Sequence, residues 1–291
     1  MPLSAVYAAD TLCVVHLVWA PLGLEPFRQF VESYRRQPAG VDHRLLVVYN
    51  GFAPGGDRTA YRRELTNLAH DETVLSHPVQ DLAAYFAAAT ASEADRLCFL
   101  NSYSVLLAAD WLAKLAAALD LPTVGAVGAT GSAQSHLSWL EAEGWPPARQ
   151  RWRQPFKNVR LRLEKRRLRR EFPPFPNYHL RTNAFLIGRR QFLELRRPLP
   201  DKRAAERFES GCDGLTAALH ARGLNVGVVD REGVCHRPER WAASRTFRSG
   251  AQENLLVADN RTAEYAAAAP DRQRQMAHWA WGSAALPPPL P

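Results

Sequence analysis

The apolar run Leu97-Cys98-Phe99-Leu100 stops abruptly in four polar residues, Asn101-Ser102-Tyr103-Ser104. Ligands of α/β proteins gather at the carboxyl ends of strands, so a strand that ends this way marks a candidate site. Asn101 and Ser102 either donate hydrogen bonds to a ribose or phosphate, or close a turn. A second group is cationic. Ser244-Arg245-Thr246-Phe247-Arg248-Ser249-Gly250 mixes arginines, hydroxyls and glycine, a composition suited to a loop folding over phosphates. Arg181 and Arg261 are further cations of this kind. Against this stands the plain reading of solvated surface arginines. Two carboxylates, Glu209 and Asp213, precede a helical pattern and serve either as a proton acceptor or as a helix cap. Asp81 likewise opens or caps a helix. His236 is a ligand or a histidine satisfied in the core.

The chain of 291 residues is large enough for one α/β domain with a substantial core. Its four cysteines are far apart and form no C-x-x-C pair, which predicts reduced, buried thiols and a cytoplasmic protein. No apolar run is long enough to span a bilayer, and Leu12 to Leu24 reads as a strand and not a signal peptide. The net charge of +8 is concentrated. Residues 151–170 hold ten basic side chains against Glu164 alone, leaving the rest close to neutral. Phe156, Val159 and Leu163 share one helical stripe among those cations, as an interfacial helix on an anionic membrane would arrange them. Nucleic acid is not the expected partner, because no aromatic stacking platform interleaves the charges. A solvated helix is the bland alternative.

Strands and helices alternate along the body. Strands are predicted at Leu12–Trp19, Arg44–Tyr49, Thr73–Leu75, Leu97–Leu100, Val124–Gly128, Tyr178–Gly188 and Asn225–Asp230. Helices are predicted at Glu25–Arg36, Thr59–Ala69, Asp81–Ala91, Ala109–Leu119 and Gly214–Ala221. Such alternation implies a mostly parallel sheet with helices on both faces. Residues 138–176, with their basic and Pro-rich stretches, read as an insertion. The tail from Ser244 reads as polar and uncapped, then Ala-rich.

In this order of elements the chain resembles the GT-A glycosyltransferases of the bacterial family-2-like type, from about Leu12 to Pro238. The resemblance implies a GT-A-like (Rossmann-like) domain over residues 1–243 and a C-terminal lid and tail over 244–291. It implies transfer of a sugar from a nucleotide-sugar donor to a hydroxyl of a cell-surface glycan or glycolipid acceptor, by a protein peripheral to the inner face of the membrane. His16 and Trp19 would then stand near the base, Asn50 at the end of the second strand would line the nucleotide site, and Asp81 would contact base or ribose. Asn101, Ser102 and Tyr103 would occupy the place of the family's Asp-x-Asp metal motif. Glu209 or Asp213 would be the base, with Glu209 preferred, and His236 would help bind a divalent metal (Mn or Mg) or the diphosphate. Arg181, Arg245, Arg248 and Arg261 would face the phosphates. The two acid positions of the motif read Asn101 and Tyr103, so a hard cation loses the anionic oxygens it prefers. Trp139, Trp145, Trp152 and Trp241 are candidates for stacking on a sugar ring. A non-catalytic membrane- or polyanion-binding protein on a transferase scaffold is the alternative.

Overall fold

The computed structural model describes residues 11–53, 55–137 and 155–286, with the side chains of the last stretch from residue 163 onward. Strands β1 (Leu12–Trp19), β2 (Arg44–Asn50), β3 (Asp71–Val74) and β4 (Arg96–Leu100) are linked by α1 (Glu25–Arg36), α2 (Thr59–Glu64) and α3 (Asp81–Ala91). The short β5 (Val105–Leu106) leads into α4 (Trp111–Leu119), β6 (Val124–Gly128) and β7 (Gly131–Ser132). After α5 (Pro155–Glu171) come β8 (His179–Leu180), β9 (Ala184–Gly188), α6 (Arg189–Glu194), α7 (Lys202–Ser210) and α8 (Leu215–His220). The chain then forms β10 (Asn225–Val229), β11 (Cys235–His236), β12 (Val257–Ala258), α9 (Asn260–Ala267) and α10 (Pro270–Trp281).

Eight strands form one sheet in the order β11-β10-β6-β9-β4-β1-β2-β3. β1 to β4 pair in parallel, and β6 pairs in parallel with β10. β9 lies between β4 and β6 and is antiparallel to both. Two reversals cancel, so β6 and β10 point the same way as β1. The carboxyl ends of six strands therefore share one edge, where α/β ligands bind. This mostly parallel sheet, covered on both faces, is the Rossmann-like α/β plan expected from the sequence.

The two-residue period of a strand divides the core. Along β1, Cys13, Val15 and Leu17 face Tyr85, Phe99, Phe185, Phe192 and Phe208. Leu12, Val14 and Val18 face Phe27, Phe30, Val31 and Trp111 on the other side. Each such aromatic, fully withdrawn from water, contributes about 1.5–3 kcal/mol. Helices α3, α7 and α8 thus share one face of the sheet, and α1 and α4 cover the other.

Besides α2, which ends at Glu64 and not at Ala69, three larger features differ from expectation. The strand predicted over Tyr178–Gly188 is broken into β8 and β9, and residues 181–183 leave the ladder at the ligand-binding edge. The tail is capped: the Asp259 side chain accepts from the backbone N–H of Arg261 and Thr262, and Thr262 returns a bond to the Asp259 backbone, a capping box that starts α9. The same segment is also built into the body, because β12 pairs with β5, and Phe247 and Trp281 join the sheet's core beside Trp241. Of the predicted insertion, residues 138–154 lie outside the described residues, and α5 follows them.

Candidate functional site

A cavity of about 640 Å³ opens at the carboxyl edge of the sheet, within the range of small-molecule sites. Its lining includes Arg181, Arg248, Arg261, Arg272, Glu206, Glu209, Glu264, His136, His179, Phe247 and Trp279. Glu209 is placed there by helix geometry. Asp201 starts α7 by accepting from the Ala204 N–H at 2.8 Å, and Phe208 turns inward onto Phe86. The next side chain, Glu209, is thereby directed to the cavity. Gly211 ends the helix so tightly that a Cβ would lie 2.4 Å from the Arg207 carbonyl oxygen. Asn177 Nδ2 donates to the Ser210 carbonyl at 2.7 Å and fixes that end. Thr182 Oγ1 donates to Glu209 Oε2 at 2.7 Å, which orients the carboxylate.

Asp81 lies close enough to Glu209 for the two charges to interact. It is the first residue of α3, with Gln80 and not Asp81 at the cap position. Its carboxyl reaches water, but protein surrounds it closely, and this burial together with the Glu209 charge raises its pKa above the usual carboxylate value. The Tyr85 hydroxyl, buried beside the pair, has no hydrogen-bond partner. His179 Nδ1 donates to the Asn177 carbonyl at 2.7 Å, and burial lowers its pKa, so the ring is neutral at pH 7.

The break between β8 and β9 presents Arg181. Its guanidinium donates to Thr130 Oγ1 at 3.1 Å and to Asp259 Oδ2 at 2.7 Å, and lies 4.2 Å from the centroid of Phe247. Burial pushes the Asp259 carboxyl up, but Arg181 and the capping bonds outweigh it and hold it below the usual range. Arg248 lies 5.1 Å from the same ring and is 7% exposed. Its Nε has no partner, and its nearest carboxylate, Glu264, is 3.9 Å away. Burial and the neighbouring Arg181 lower the Arg248 pKa to about 10, which leaves it charged at neutral pH.

The end of β4 is joined to this wall. Asn101 N–H donates to the Asn183 carbonyl at 2.9 Å, and Asn183 Oδ1 accepts from Thr130 Oγ1 at 2.8 Å. The Asn101 side-chain oxygen accepts from Tyr103 N–H and Ser104 Oγ, both at 3.1 Å, and so closes a turn. Ser102 Oγ accepts from Trp19 N–H at 3.1 Å, tying β4 to β1, while Tyr103 is exposed on the rim. Asn50 is buried and latched to Val79 by two hydrogen bonds. The Trp19 ring leans over Gly51, where a Cβ would lie 2.7 Å from it.

Four expected residues stand elsewhere. His16 falls on the α1 face by strand parity, fully buried and stacked 3.6 Å from Phe30, with neither nitrogen hydrogen-bonded. It presents no surface to a base. Asp213 is clasped by Arg207 at 2.6 Å and Arg197 at 3.1 Å; burial pushes its pKa up, but these cations keep it low, which suits an ion pair and not a base. Arg245 pairs with Glu253, outside the cavity lining. His236 Nε2 meets Asp230 Oδ2 at 2.7 Å, also outside that lining. Trp241 is fully buried, and Trp139, Trp145 and Trp152 lie outside the described residues. In their place the cavity holds Trp279 and Arg272 from α10, whose only sequence signal is a basic, Trp-containing helix after Pro270.

The end of β4 offers a hard divalent metal no carboxylate, since its polar residues are Asn101, Ser102, Tyr103 and Ser104. Asn101 uses its oxygen internally, and the described residues contain no group of three or more His, Cys, Asp or Glu side chains able to hold an ion.

No family model and no curated protein matches the chain. Among solved structures, it is similar to the mannosyltransferase PcManGT of Pyrobaculum calidifontis in complex with GDP-Man and Mn2+, with 15% identity and TM-score 0.43 over 80% of this chain and 59% of that one. It is also similar to a 4-diphosphocytidyl-2C-methyl-D-erythritol synthase of Anaerococcus prevotii, with 10% identity and TM-score 0.44 over 76% and 88% of the two chains. A third is glucosyl-3-phosphoglycerate synthase of Mycobacterium tuberculosis, with 13% identity and TM-score 0.38 over 62% and 58%. The chain thus spans less than two thirds of the two glycosyltransferases.

Proposed function

We propose that the protein is a glycosyltransferase that moves a sugar from a nucleotide-sugar donor to a hydroxyl of a glycan or glycolipid acceptor. The observation that carries this reading is Glu209 in the cavity, held by Thr182 at 2.7 Å and adjoining Asp81 at the carboxyl edge of a Rossmann-like sheet. Direct displacement at an anomeric carbon needs a carboxylate to take the acceptor's proton as its oxygen attacks. With Thr182 on Oε2, Glu209 keeps Oε1 for that proton. The nucleoside would lie along the ends of β1, β2 and β4, over Trp19, Ser102 and Asp81. Asn50 would act from behind, by holding the Val79 turn that precedes α3.

The membrane reading belongs to α5. Its exposed Leu163 stands among Arg166, Arg167 and Arg170, and Glu164 and Glu171 anchor the helix to Arg203 at 2.6 and 2.7 Å. A helix end held to the body by its acids and carrying the exposed cations Arg166, Arg167 and Arg170 suits an anionic surface.

The test is turnover of a panel of nucleotide sugars by wild type and Glu209→Gln. Glu209→Gln keeps the shape and the Thr182 contact, so donor binding by calorimetry should stay within about twofold while turnover falls about 10²-fold or more, the usual worth of a general base. Undiminished turnover in the variant, or no nucleotide uptake by the wild type, would overturn the assignment.

A further inference from the structure

We infer that the arginine pair Arg181–Arg248 over Phe247 takes the leaving diphosphate of the donor, so that transfer proceeds without a protein-held divalent metal. This inference rests on the glycosyltransferase reading and specifies how that site handles charge.

The first ground is an imbalance. Arg181 is matched by Asp259 at 2.7 Å, but Arg248 has no carboxylate within 3.5 Å and a buried Nε without any acceptor. A buried cation left short of partners is unfavourable unless a ligand supplies them. An oxyanion on the cavity side would do so, and guanidinium groups match phosphate oxygens in a bidentate fashion.

The second ground is how firmly Arg248 is held. Arg245, Arg248 and Gln252 all have left-handed backbones, with φ of 58°, 46° and 56°. Side chains other than glycine adopt this conformation at a cost, and such strain collects at functional sites. Here Gln252 fixes it: its Oε1 accepts from Arg248 N–H at 3.0 Å, and its Nε2 donates to the Thr262 carbonyl at 3.0 Å. The backbone that carries the cation is thus set in the unliganded protein, with the guanidinium 5.1 Å from the Phe247 centroid, and groups arranged in advance are how charge developing in a transition state is best stabilised.

The third ground is the lack of competing metal ligands at the end of β4, where Asn101 closes its own turn. Arg181 stands close to that strand end, through Thr130 and Asn183.

The acceptor oxygen bonds to the anomeric carbon and its proton passes to Glu209. The bond from that carbon to the diphosphate oxygen breaks, and its electron pair remains on the diphosphate. The added negative charge is met by Arg248 and Arg181.

Calorimetry in EDTA tests this with UDP, GDP, CDP, dTDP and ADP, the matching monophosphates, and inorganic pyrophosphate. The wild type should bind one diphosphate at least tenfold more tightly than its monophosphate, and adding Mn2+ should change that affinity less than twofold. Arg248→Gln should reduce the diphosphate preference about tenfold, and Arg248→Lys should restore part of it. Arg181→Gln, which leaves Asp259 capping α9, provides a second variant. A tenfold or greater requirement for Mn2+, or an unchanged diphosphate preference in both Gln variants, overturns the inference. Pyrophosphate separates the two claims. Arg248-dependent pyrophosphate binding without any nucleotide binding upholds the arginine pair as an anion clamp and sinks the glycosyltransferase reading.

Discussion

Asp259→Asn tests how the cavity is held together. In the wild type, Oδ1 accepts from the N–H groups of Arg261 and Thr262, and Oδ2 accepts from Arg181 at 2.7 Å. Asparagine caps a helix about as well as aspartate, so α9 should keep its start. What is lost is the charge facing Arg181. Breaking one side of a buried ion pair costs about 3–5 kcal/mol. Asp259 is fully enclosed, but 11% of the Arg181 side chain is exposed on the cavity, so solvent offsets part of the loss and the lower end, about 3 kcal/mol, applies. At roughly 2–4 °C per kcal/mol, the Tm should fall by about 6–12 °C in calorimetric melts at pH 7. Asp259→Ala should cost about 1 kcal/mol more, the worth of the cap.

The pH dependence has a definite sign. A carboxyl whose folded pKa is depressed stabilises the fold above its ordinary value near 3.8, and that contribution is lost as pH falls through the folded value. The gap between wild type and Asp259→Asn should therefore be constant above about pH 5 and narrow in acid. A Tm within 2 °C of wild type, or a gap indifferent to acid, would refute the argument that this pair holds the cavity wall.

Two further predictions concern stability. Burial lowers the His16 pKa from 6.5 to about 3, so the unfolded chain binds its proton first and stability is lost as pH falls below 6.5. Between pH 7.5 and 5.5 this amounts to about 1.4 kcal/mol, which should disappear in His16→Leu when melts of the two proteins are compared, with turnover at pH 7 unchanged; an equal acid sensitivity in both would contradict it. Asp81 works the other way. Its raised pKa means that ionisation in the folded state is unfavourable above its ordinary value, so Asp81→Asn should raise the Tm at pH 7, by at most the effect of about 1 kcal/mol because the carboxyl reaches water. The same change should weaken nucleotide binding, and a variant that is both less stable and unimpaired in binding would remove Asp81 from the site.

What the sequence made legible, and what it hid, follows from the range of the interactions. The strands and helices of the first half follow from local apolar periodicity, and α3 runs over Asp81–Ala91 as read. The burial of His16 was also there to be read, because it shares strand parity with Val14 and Val18, which face α1. The resemblance puts His16 near the base by its place on the first strand, whereas the phase of that strand turns it to the α1 face. The Asp259-x-x-Thr262 spacing equally announced a helix start that the polar composition around it obscured. Other features had no local signal. Nothing near residue 181 shows that its partner stands 78 positions away, nor that α10 would bring Trp279 and Arg272 to the same cavity. In sequence Asp213 and Glu209 both read as carboxylates before a helix, although Glu209 lies in the last turn of α7. They separate only when Arg197 and Arg207 pack against one and Thr182 against the other. Secondary structure is set mainly by neighbours in sequence, whereas the role of a charge is set by whichever distant group neutralises it. Arg248 is the clearest case, since its candidacy as an anion ligand depends on a carboxylate that long-range packing leaves 3.9 Å away.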